Sequence, residues 1–311
     1  MAENVKKAGF ATIIGRPNVG KSTLMNRMIG QKIAITSYKP QTTRTQIRTI
    51  YTDDRGQIVF LDTPGIHQSR TRLGEYMVKA AESTLREVDV VLWLVEPKAK
   101  PAEEDLSILE LVKATKTPVI LVVNKTDTVK KEQILPVISV YTEDMEYAAV
   151  IPVSARTGDG VEDLMQNIFD LLPEGQPFYD EDMVTTETER EISAELIREQ
   201  ILHYTNEEIP HGTAVEIDAF EEVLKDDAED SYDRSLIKIH ASIICERDSH
   251  KGIVIGKGGA MLRKIGTAAR TDIENMLQSR VNLKLFVKVR RDWKDNELQM
   301  KNFGYDPKKY K

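Results

Sequence analysis

The sequence predicts an α/β domain, with a mostly parallel sheet and helices on both faces, followed by a smaller α+β domain. Three observations support this prediction. Short apolar runs alternate with helix-like stretches up to residue 172, a Pro- and Gly-containing break follows at 173–177, and the order of elements then changes. A length of 311 residues also fits two domains, at roughly 100–200 residues per domain.

The first half contains apolar runs of strand length, which we predict to be buried strands. They lie at 10–14, 58–61, 90–95, 119–123 and 150–153, and helix-like stretches lie at 21–29, 75–87, 102–114, 130–144 and 161–172. Strands and helices in alternation indicate βα units and a parallel sheet that is covered on both faces. A less apolar run at 45–51 is expected to pair antiparallel with the strand that follows it.

The second half has a different pattern, which defines the domain boundaries. An acidic, Thr-rich stretch at 179–189 is typical of a linker. Beyond it we predict helices at 192–203, 248–255 and 260–277, and strands at 214–223, 236–245 and 283–289. We therefore place the first domain at 1–175, the linker at 176–189 and the second domain at 190–311.

Charge is distributed unevenly along the chain, whose overall net charge is −7. Residues 1–170 hold 22 basic and 22 acidic residues, residues 171–230 hold 3 and 19, and residues 231–311 hold 18 and 9. A basic segment is the usual electrostatic signature of nucleic-acid binding, although a solvated face would give the same count. The charge pattern alone leaves both interpretations open.

Composition excludes several classes of protein. A single cysteine, Cys245, excludes an internal disulfide framework and a cysteine-ligated zinc site, and it fits a reducing cytoplasm. We expect Cys245 to be a small buried residue of a strand. No run approaches the roughly 20 apolar residues of a membrane-spanning helix, and we expect no signal peptide at the N-terminus.

A phosphate-binding loop is predicted where the first strand ends and the first helix begins. Residues 15–22 match the pattern G-x-x-x-x-G-K-[ST] in this required context. Glycines let backbone N–H groups converge on phosphate oxygens, and the helix N-terminus adds partial positive charge. The predicted nucleotide-binding residues here are Gly15, Arg16, Pro17, Asn18, Val19, Gly20, Lys21, Ser22 and Thr23, with Lys21 on the β- and γ-phosphates and Ser22 on Mg²⁺.

A second phosphate-side segment follows the strand at 58–61. Its residues are Asp62, Thr63, Pro64, Gly65 and Ile66. A carboxylate at this position can hold Mg²⁺ through water, and the Gly65 N–H can sense the γ-phosphate. An Asp-x-x-Gly turn is common by itself, and it gains significance because it lies one strand beyond the phosphate-binding loop.

Two motifs at later strand ends predict a guanine site. The first motif is Asn124, Lys125, Thr126 and Asp127, and the second is Ser154, Ala155 and Arg156. The Asp127 carboxylate can accept both N1–H and N2–H₂ of guanine, a donor pair that adenine lacks. A backbone N–H of the second motif can donate to the guanine O6. The first motif, at 124–127, also argues against a metabolic P-loop kinase.

In the order and placement of these four motifs, the chain resembles the translation-factor-related GTPases, and the form Gly-x-Pro-Asn-Val-Gly-Lys-Ser is characteristic of the Era-like branch. The resemblance places the Mg²⁺-sensing hydroxyl of segment 40–44 on Thr43, with Thr42 as the alternative. It implies catalytic roles for Lys21, Thr43 and Gly65, and Mg²⁺ ligation by Ser22, Thr43 and, through water, Asp62. It also implies that Asn18 holds K⁺ against the phosphates.

One departure from the Ras pattern concerns hydrolysis. Ile66 stands where Ras-type enzymes have the glutamine that orients water. Because an isoleucine cannot hydrogen-bond water, hydrolysis must depend on another group. We expect a slow unaided rate, on the order of 10⁻⁴ to 10⁻² s⁻¹.

An RNA-binding loop of the KH type is predicted in the basic segment. Gly256, Lys257, Gly258 and Gly259 lie between two predicted helices, and such a loop clamps the backbone of about four nucleotides. Arg263 and Lys264 follow on the next helix and are expected to attract phosphates. Gly-x-x-Gly alone is a weak signal, and its position in a segment of net charge +9 strengthens it.

A P-loop GTPase followed by a linker and a type II KH domain resembles one family, Era, over essentially the whole chain. The resemblance implies a GTP/GDP switch that binds 16S rRNA near its 3′ end and acts in maturation of the 30S subunit. It also implies a cytoplasmic monomer that contacts the inner face of the cell membrane peripherally. The rival hypothesis is a GTPase whose KH-like domain binds protein rather than RNA.

Overall fold

The computed structural model describes residues 6–39, 42–62, 72–73, 75–77, 84–85, 87–225 and 233–305. The chain divides into two compact units, with a boundary between residues 186 and 187. No helix in the described ranges has the length and apolar character needed to cross a bilayer.

The first unit is the predicted α/β domain. Its elements within the described residues are β1 (Lys7–Ile14), α1 (Lys21–Ile29), β2 (Ile47–Asp53), β3 (Gly56–Asp62), β4 (Val90–Val95), α2 (Glu103–Lys113), β5 (Val119–Val123), α3 (Ile134–Thr142), β6 (Ala149–Pro152) and α4 (Val161–Leu171), and most of the helix predicted at 75–87 lies outside those residues. The strand order is β2-β3-β1-β4-β5-β6. All neighbours are parallel except β2, which pairs antiparallel with β3 as predicted.

The central strands of this sheet are apolar at almost every position because both faces are covered. Leu92 and Leu94 of β4 belong to the hydrophobic cluster on one face. Val91 and Trp93, which alternate with them, belong to the cluster on the other face. The two faces together bury the strands whose carboxyl ends carry the predicted site motifs.

Much of the segment proposed as a linker packs on the first unit. The amides of Phe178 and Tyr179 both donate to Gln57 Oε1, at 2.8 and 3.0 Å. Further along, Ile50 N donates to Val184 O at 2.9 Å, next to the edge strand β2. Residues 177–186 are therefore held to the sheet rather than extended between the two units.

The second unit has an α+β order. Its elements are α5 (Glu189–Tyr204), β7 (Thr213–Leu224), β8 (Arg234–Cys245), α6 (Asp248–Ile255), α7 (Ala260–Leu277), β9 (Val281–Val289) and α8 (Glu297–Asn302). β8 is the central strand, antiparallel to β7 and parallel to β9. This is the predicted type II KH arrangement, and Cys245 is buried in β8 as expected.

Helix α5 begins three residues earlier than its apolar pattern predicts, because of a capping box. The Thr188 side chain accepts the Glu191 amide, and the Glu191 carboxylate accepts the Thr188 amide at 2.9 Å. These two bonds satisfy donors that a helix N-terminus otherwise leaves open. At the other end of the unit, Trp293 is fully buried and donates from Nε1 to Gly212 O at 3.1 Å.

Candidate functional site

The phosphate-binding loop connects β1 to α1 through a backbone that requires glycine at two positions. Gly15 has φ 151° and Gly20 has φ 104°. A Cβ at Gly15 would lie 2.6 Å from Leu94 O, and a Cβ at Gly20 would lie 2.3 Å from Asn124 Nδ2. These approaches bring the loop against the ends of β4 and β5, where the other motifs begin.

Lys21 is the buried cation of this loop. Its side chain is only 8% exposed, and Nζ donates to the carbonyls of Gly15 (2.9 Å) and Arg16 (3.0 Å). Burial lowers the pKa of Lys21 to about 8, partly offset by the nearby Asp62 carboxylate. A cation that is poorly solvated inside a loop of backbone amides is well placed to attract phosphate oxygens.

The other loop residues differ in what they expose. Val19 is buried in the core below the loop, so its contribution is confined to its backbone. Pro17 is half-buried, whereas Thr23 is exposed in the first turn of α1. Asn18 has φ 67°, and its Nδ2 donates to Tyr38 O at 2.6 Å.

Three oxygen-bearing side chains meet beside the phosphate loop. Ser22 Oγ lies 3.2 Å from Thr43 Oγ1, and each lies 3.4 Å from Asp62 Oδ2. Thr42 instead donates from Oγ1 to Lys39 O at 2.6 Å, so the structure brings Thr43 to this cluster. Hydroxyl and carboxylate oxygens are suitable ligands for Mg²⁺. No group of three or more His, Cys, Asp or Glu residues that could hold a metal occurs in the described ranges.

The predicted base-recognition end is built around Asp127. Its Oδ1 accepts from Ser154 Oγ at 2.7 Å, and its Oδ2 pairs with the Arg156 guanidinium at 2.7 Å. The Ser154 hydrogen bond and the Arg156 charge lower the pKa of Asp127, although burial opposes them. Asp127 is thus held as a carboxylate, the form that accepts two donors from a base edge.

Asn124 joins the base end to the phosphate loop. Its Nδ2 donates to Val19 O at 2.8 Å, and its Oδ1 accepts the Ala155 amide at 3.0 Å. Thr126, the third residue of the motif, is half-buried and opens a short 3-10 turn. Three predicted motifs on three different loops are therefore connected by one buried amide side chain.

The Gly-x-x-Gly loop of the second unit joins α6 to α7. Gly256, Gly258 and Gly259 all have positive φ angles, of 71°, 59° and 79°. A Cβ at Gly256 would lie 2.7 Å from Met261 Cβ, whereas Gly258 and Gly259 face open space. Backbone at the last two positions is thus accessible to a ligand, and Lys257 is exposed beside it.

Two predicted RNA-binding side chains lie on the first turns of α7. Arg263 is exposed. Lys264 is also exposed, and its Nζ lies 4.2 Å from the centre of the Tyr204 ring, a cation–π contact. The structure therefore places both cations on the helix that the glycine loop opens.

Comparison with known proteins decides the family. The chain is 47% identical to GTPase Era of Ruminiclostridium cellulolyticum over 303 residues, covering 97% of this chain and 99% of the relative. It is 48% identical to GTPase Era of Geobacter metallireducens over 305 residues, covering 98% and 100%. The chain belongs to the Era family. Residues 10–125 match the model of the family described as 50S ribosome-binding GTPase, and residues 208–294 match the KH domain model.

Solved Era structures have the same fold. A variant of Aquifex aeolicus Era bound to GDP and AlF₄⁻ is 36% identical, with a TM-score of 0.89 and coverage of 96% of this chain and 99% of that one. Era in complex with MgGDPNP and nucleotides 1506–1542 of 16S ribosomal RNA is also 36% identical, with a TM-score of 0.90 and coverage of 97% and 99%. Both domains of the predicted fold are thus those of Era.

The structure adds Glu96 to the site of this Era-family protein. Glu96 belongs to none of the sequence motifs. Glu96 follows β4, is 13% exposed, and forms ion pairs with Arg16 of the phosphate loop and with Lys98. It also accepts from Lys125 at 2.5 Å, and Lys125 in turn donates to Asn18 O at 2.7 Å. Burial would raise the pKa of Glu96, but the bonds from Lys125 and Lys98 outweigh it and lower the pKa to about 2.

Arg16 therefore directs its side chain away from the loop that its backbone helps to form. Besides the ion pair with Glu96, its Nε lies 3.3 Å from Asp105 Oδ2, and Asp105 is almost fully buried in α2. Tyr141 of α3 donates to the same Asp105 oxygen at 3.2 Å. The Arg16 side chain thus anchors the loop to its own domain.

Arg27, in the last turn of α1, is a second residue that sequence patterns did not reveal. It donates from Nε to Ala155 O at 3.1 Å and from Nη2 to Arg156 O at 2.5 Å. The helix that begins with Lys21 and Ser22 therefore also holds the loop at the base end. No local motif marks Arg27, because its partners lie about 130 residues away.

Four predicted site residues lie outside the described residues: Thr63, Pro64, Gly65 and Ile66. The proposed γ-phosphate contact of Gly65 therefore stays a prediction. The same holds for the consequence of Ile66 in place of a water-orienting glutamine.

Proposed function

We propose that this protein hydrolyses GTP and uses its nucleotide state to control binding of 16S rRNA near the 3′ end during maturation of the 30S subunit. One observation carries the proposal: a carboxylate-based guanine site and an accessible Gly-x-x-Gly loop occur in one chain of the Era family. A solved relative binds MgGDPNP together with nucleotides 1506–1542 of 16S rRNA, which supports both halves of the proposal.

The proposed binding and hydrolysis of GTP are supported by the lysine, hydroxyl and carboxylate groups around the phosphate-binding loop. Lys21 would neutralise phosphate charge, and Ser22 and Thr43 would ligate Mg²⁺ directly while Asp62 holds it through water. A Mg²⁺ held by these residues would supply positive charge against the phosphates. The GDP·AlF₄⁻ complex of a relative supports hydrolysis as the reaction.

For the RNA half, the support is the combination of open backbone and exposed cations at the loop. A protein-binding KH-like module would have no need of glycines that face open space at Gly258 and Gly259. The test is binding of a fluorescent RNA that carries the 16S 3′ end, measured by anisotropy with GDPNP and with GDP. We expect tighter binding with GDPNP.

Gly258→Asp with Gly259→Asp should abolish that binding, because two carboxylates would face the phosphates. Basal phosphate release should stay within about twofold of the unchanged protein, since the change lies in the other unit. Equal RNA affinity of both proteins would overturn the RNA assignment and favour the protein-binding rival.

We also propose that K⁺ assists hydrolysis next to Asn18. The support is the position of Asn18 at the outer edge of the phosphate loop, where its amide reaches the Tyr38 carbonyl at 2.6 Å. An amide oxygen and nearby carbonyls are suitable ligands for a large monovalent cation. Single-turnover hydrolysis should be faster in KCl than in NaCl of equal ionic strength, and Asn18→Ala should remove the difference. Equal rates in both salts would exclude this role.

The family resemblance further suggests a cytoplasmic monomer with peripheral contact at the inner face of the cell membrane. Support for the membrane part comes from the resemblance alone. Sedimentation of the purified protein with anionic lipid vesicles tests it, and an unchanged supernatant concentration would count against it.

A further inference from the structure

The second unit carries another cationic surface, on β9. Backbone bonds extend the pairing of β9 with β8 at both ends: Ile237 N donates to Arg280 O at 2.9 Å, and Arg290 N donates to Cys245 O at 2.8 Å. Residues 280–290 therefore behave as one extended strand, in which side chains alternate between the two faces of the sheet.

One face of β9 is covered by α7. A Cβ on Gly266 of α7 would lie 3.3 Å from Leu285 Cδ1, so Leu285 faces the helix. The alternate positions consequently point to the opposite side. They are Arg280, Asn282, Lys284, Phe286, Lys288 and Arg290, all exposed, and we call them the open-face stripe. At about 3.3 Å per residue the stripe is about 33 Å long.

The cations of the stripe are largely uncompensated within the described part of the chain. Lys288 pairs with Asp218 at 3.2 Å. Arg280, Lys284 and Arg290 form no ion pair with any residue in the described ranges. Three cations along one strand make a surface that favours an extended polyanion over a compact one.

Phe286 gives this surface a second property. Its side chain is 51% exposed at the middle of the stripe, and His240 of the neighbouring strand lies edge-on to it, with ring centres 6.5 Å apart. An exposed aromatic ring between cations on a sheet is the combination with which proteins bind single-stranded nucleic acid. The cations track the backbone while bases stack on the ring.

We propose that the open-face stripe binds a segment of single-stranded RNA beyond the one that the Gly-x-x-Gly loop holds. The inference extends the proposed RNA-binding function of this unit and rests on it. The loop joins two helices, whereas the stripe lies on the face of the sheet that Leu285 and α7 do not cover. Only an RNA longer than the roughly four nucleotides of the loop can reach both surfaces.

The acidic residues of β7 set the limits of this path. Glu216 and Glu221 lie on β7, where they pair in register with Ser242 and Lys238 of β8. β7 is the edge strand of the sheet opposite to β9. RNA is thus expected to follow β9 rather than to cross the middle of the sheet.

The test compares two RNAs from one sequence, of about four and about thirty nucleotides, because the shorter one spans only the loop. Arg280→Gln, Lys284→Gln and Arg290→Gln together should weaken binding of the long RNA by roughly tenfold or more. They should also flatten its log–log salt dependence by about two, at about 0.7 per lost contact. Phe286→Ala should weaken binding of the long RNA without changing the slope, because stacking releases no counterions.

The matched control removes three exposed cations from the first unit, through Lys116→Gln, Lys130→Gln and Lys131→Gln. It changes net charge equally and should leave both RNAs bound as before. Circular dichroism and GTP hydrolysis of each variant check that the fold is retained. Binding of the short RNA should be unchanged by the stripe variants and lost in the Gly258→Asp, Gly259→Asp variant.

Each outcome is decisive. If the stripe variants bind the long RNA normally while the glycine variant loses the short one, the stripe proposal is wrong and the proposed function stands. If the glycine variant keeps both RNAs, the proposed function fails independently. If the stripe variants lose polyglutamate as strongly as RNA, the surface is a general anion site for acidic proteins, and the RNA assignment is overturned.

Discussion

Glu96→Gln is the most informative change at the nucleotide site, because it removes one charge and almost no volume. The site lowers the pKa of Glu96 from its ordinary value of 4.5 to about 2. At about 1.4 kcal/mol for each tenfold change, the site prefers the carboxylate by about 3 kcal/mol. That figure is an upper limit for the stabilising free energy that Glu96→Gln removes, since glutamine keeps one hydrogen-bond acceptor.

Part of this loss should appear in nucleotide affinity. Glu96 holds Lys125, which binds the Asn18 carbonyl, and it holds Arg16 of the phosphate loop. We expect GDP affinity to fall by roughly 10- to 30-fold, which corresponds to about 1.4 to 2 kcal/mol. Most of the change should lie in the dissociation rate, measured by stopped-flow release of a fluorescent GDP.

Glu195→Gln is the matched control, because Glu195 pairs with Arg198 at 2.5 Å in the other unit. It should leave GDP release unchanged. A Glu96→Gln protein that releases GDP within twofold of the normal rate would refute the assigned role, whatever its thermal stability.

The acid dependence of unfolding gives a second measurement on Glu96. Its pKa in the folded protein lies below the ordinary value, so its stabilising effect is complete above about pH 4.5 and is lost as the pH falls towards 2. The difference in unfolding free energy between the unchanged protein and Glu96→Gln should therefore shrink over that range. A constant difference from pH 6 to pH 2.5 would contradict the ion-pair geometry.

Three further changes test other parts of the site. Asp127→Asn should shift the nucleotide preference from guanine to xanthine, because an amide can donate to the xanthine carbonyl. Competition binding with GTP and XTP measures this preference, and an unchanged preference for GTP would contradict base recognition by Asp127. Arg27→Ala should speed GDP release about fivefold, the effect of losing about 1 kcal/mol of loop anchoring, with Arg27→Lys recovering part of it. Gly20→Ala should lower GDP affinity more than tenfold by calorimetry, because its Cβ would meet Asn124 at 2.3 Å; Gly30→Ala, with φ 78° and open space around it, is the control and should bind normally.

The sequence by itself determined which residues could contact a nucleotide, because backbone chemistry restricts residue type at those positions. Gly15 and Gly20 are required where backbone approaches backbone or a buried amide. Asp127 is predicted at the position where two base donors would need one acceptor. Continuous apolar runs likewise predicted strands buried on both faces. The same logic identified Gly256 to Gly259 as a loop open to a ligand.

Tertiary structure decided what holds those residues in place. Glu96 and Arg27 have no local signature, because the partners that tie them to the predicted site lie in other loops, 29 to 129 residues away. Only the distances to Ser22 and Asp62 show that Thr43, and not Thr42, lies in the cluster of hydroxyl and carboxylate groups. Alternation along β9 is visible in the sequence, but only the helix packed on Leu285 shows which set of side chains remains exposed. Residue type is fixed by the chemistry of a position, whereas anchoring depends on which distant segments the fold brings together.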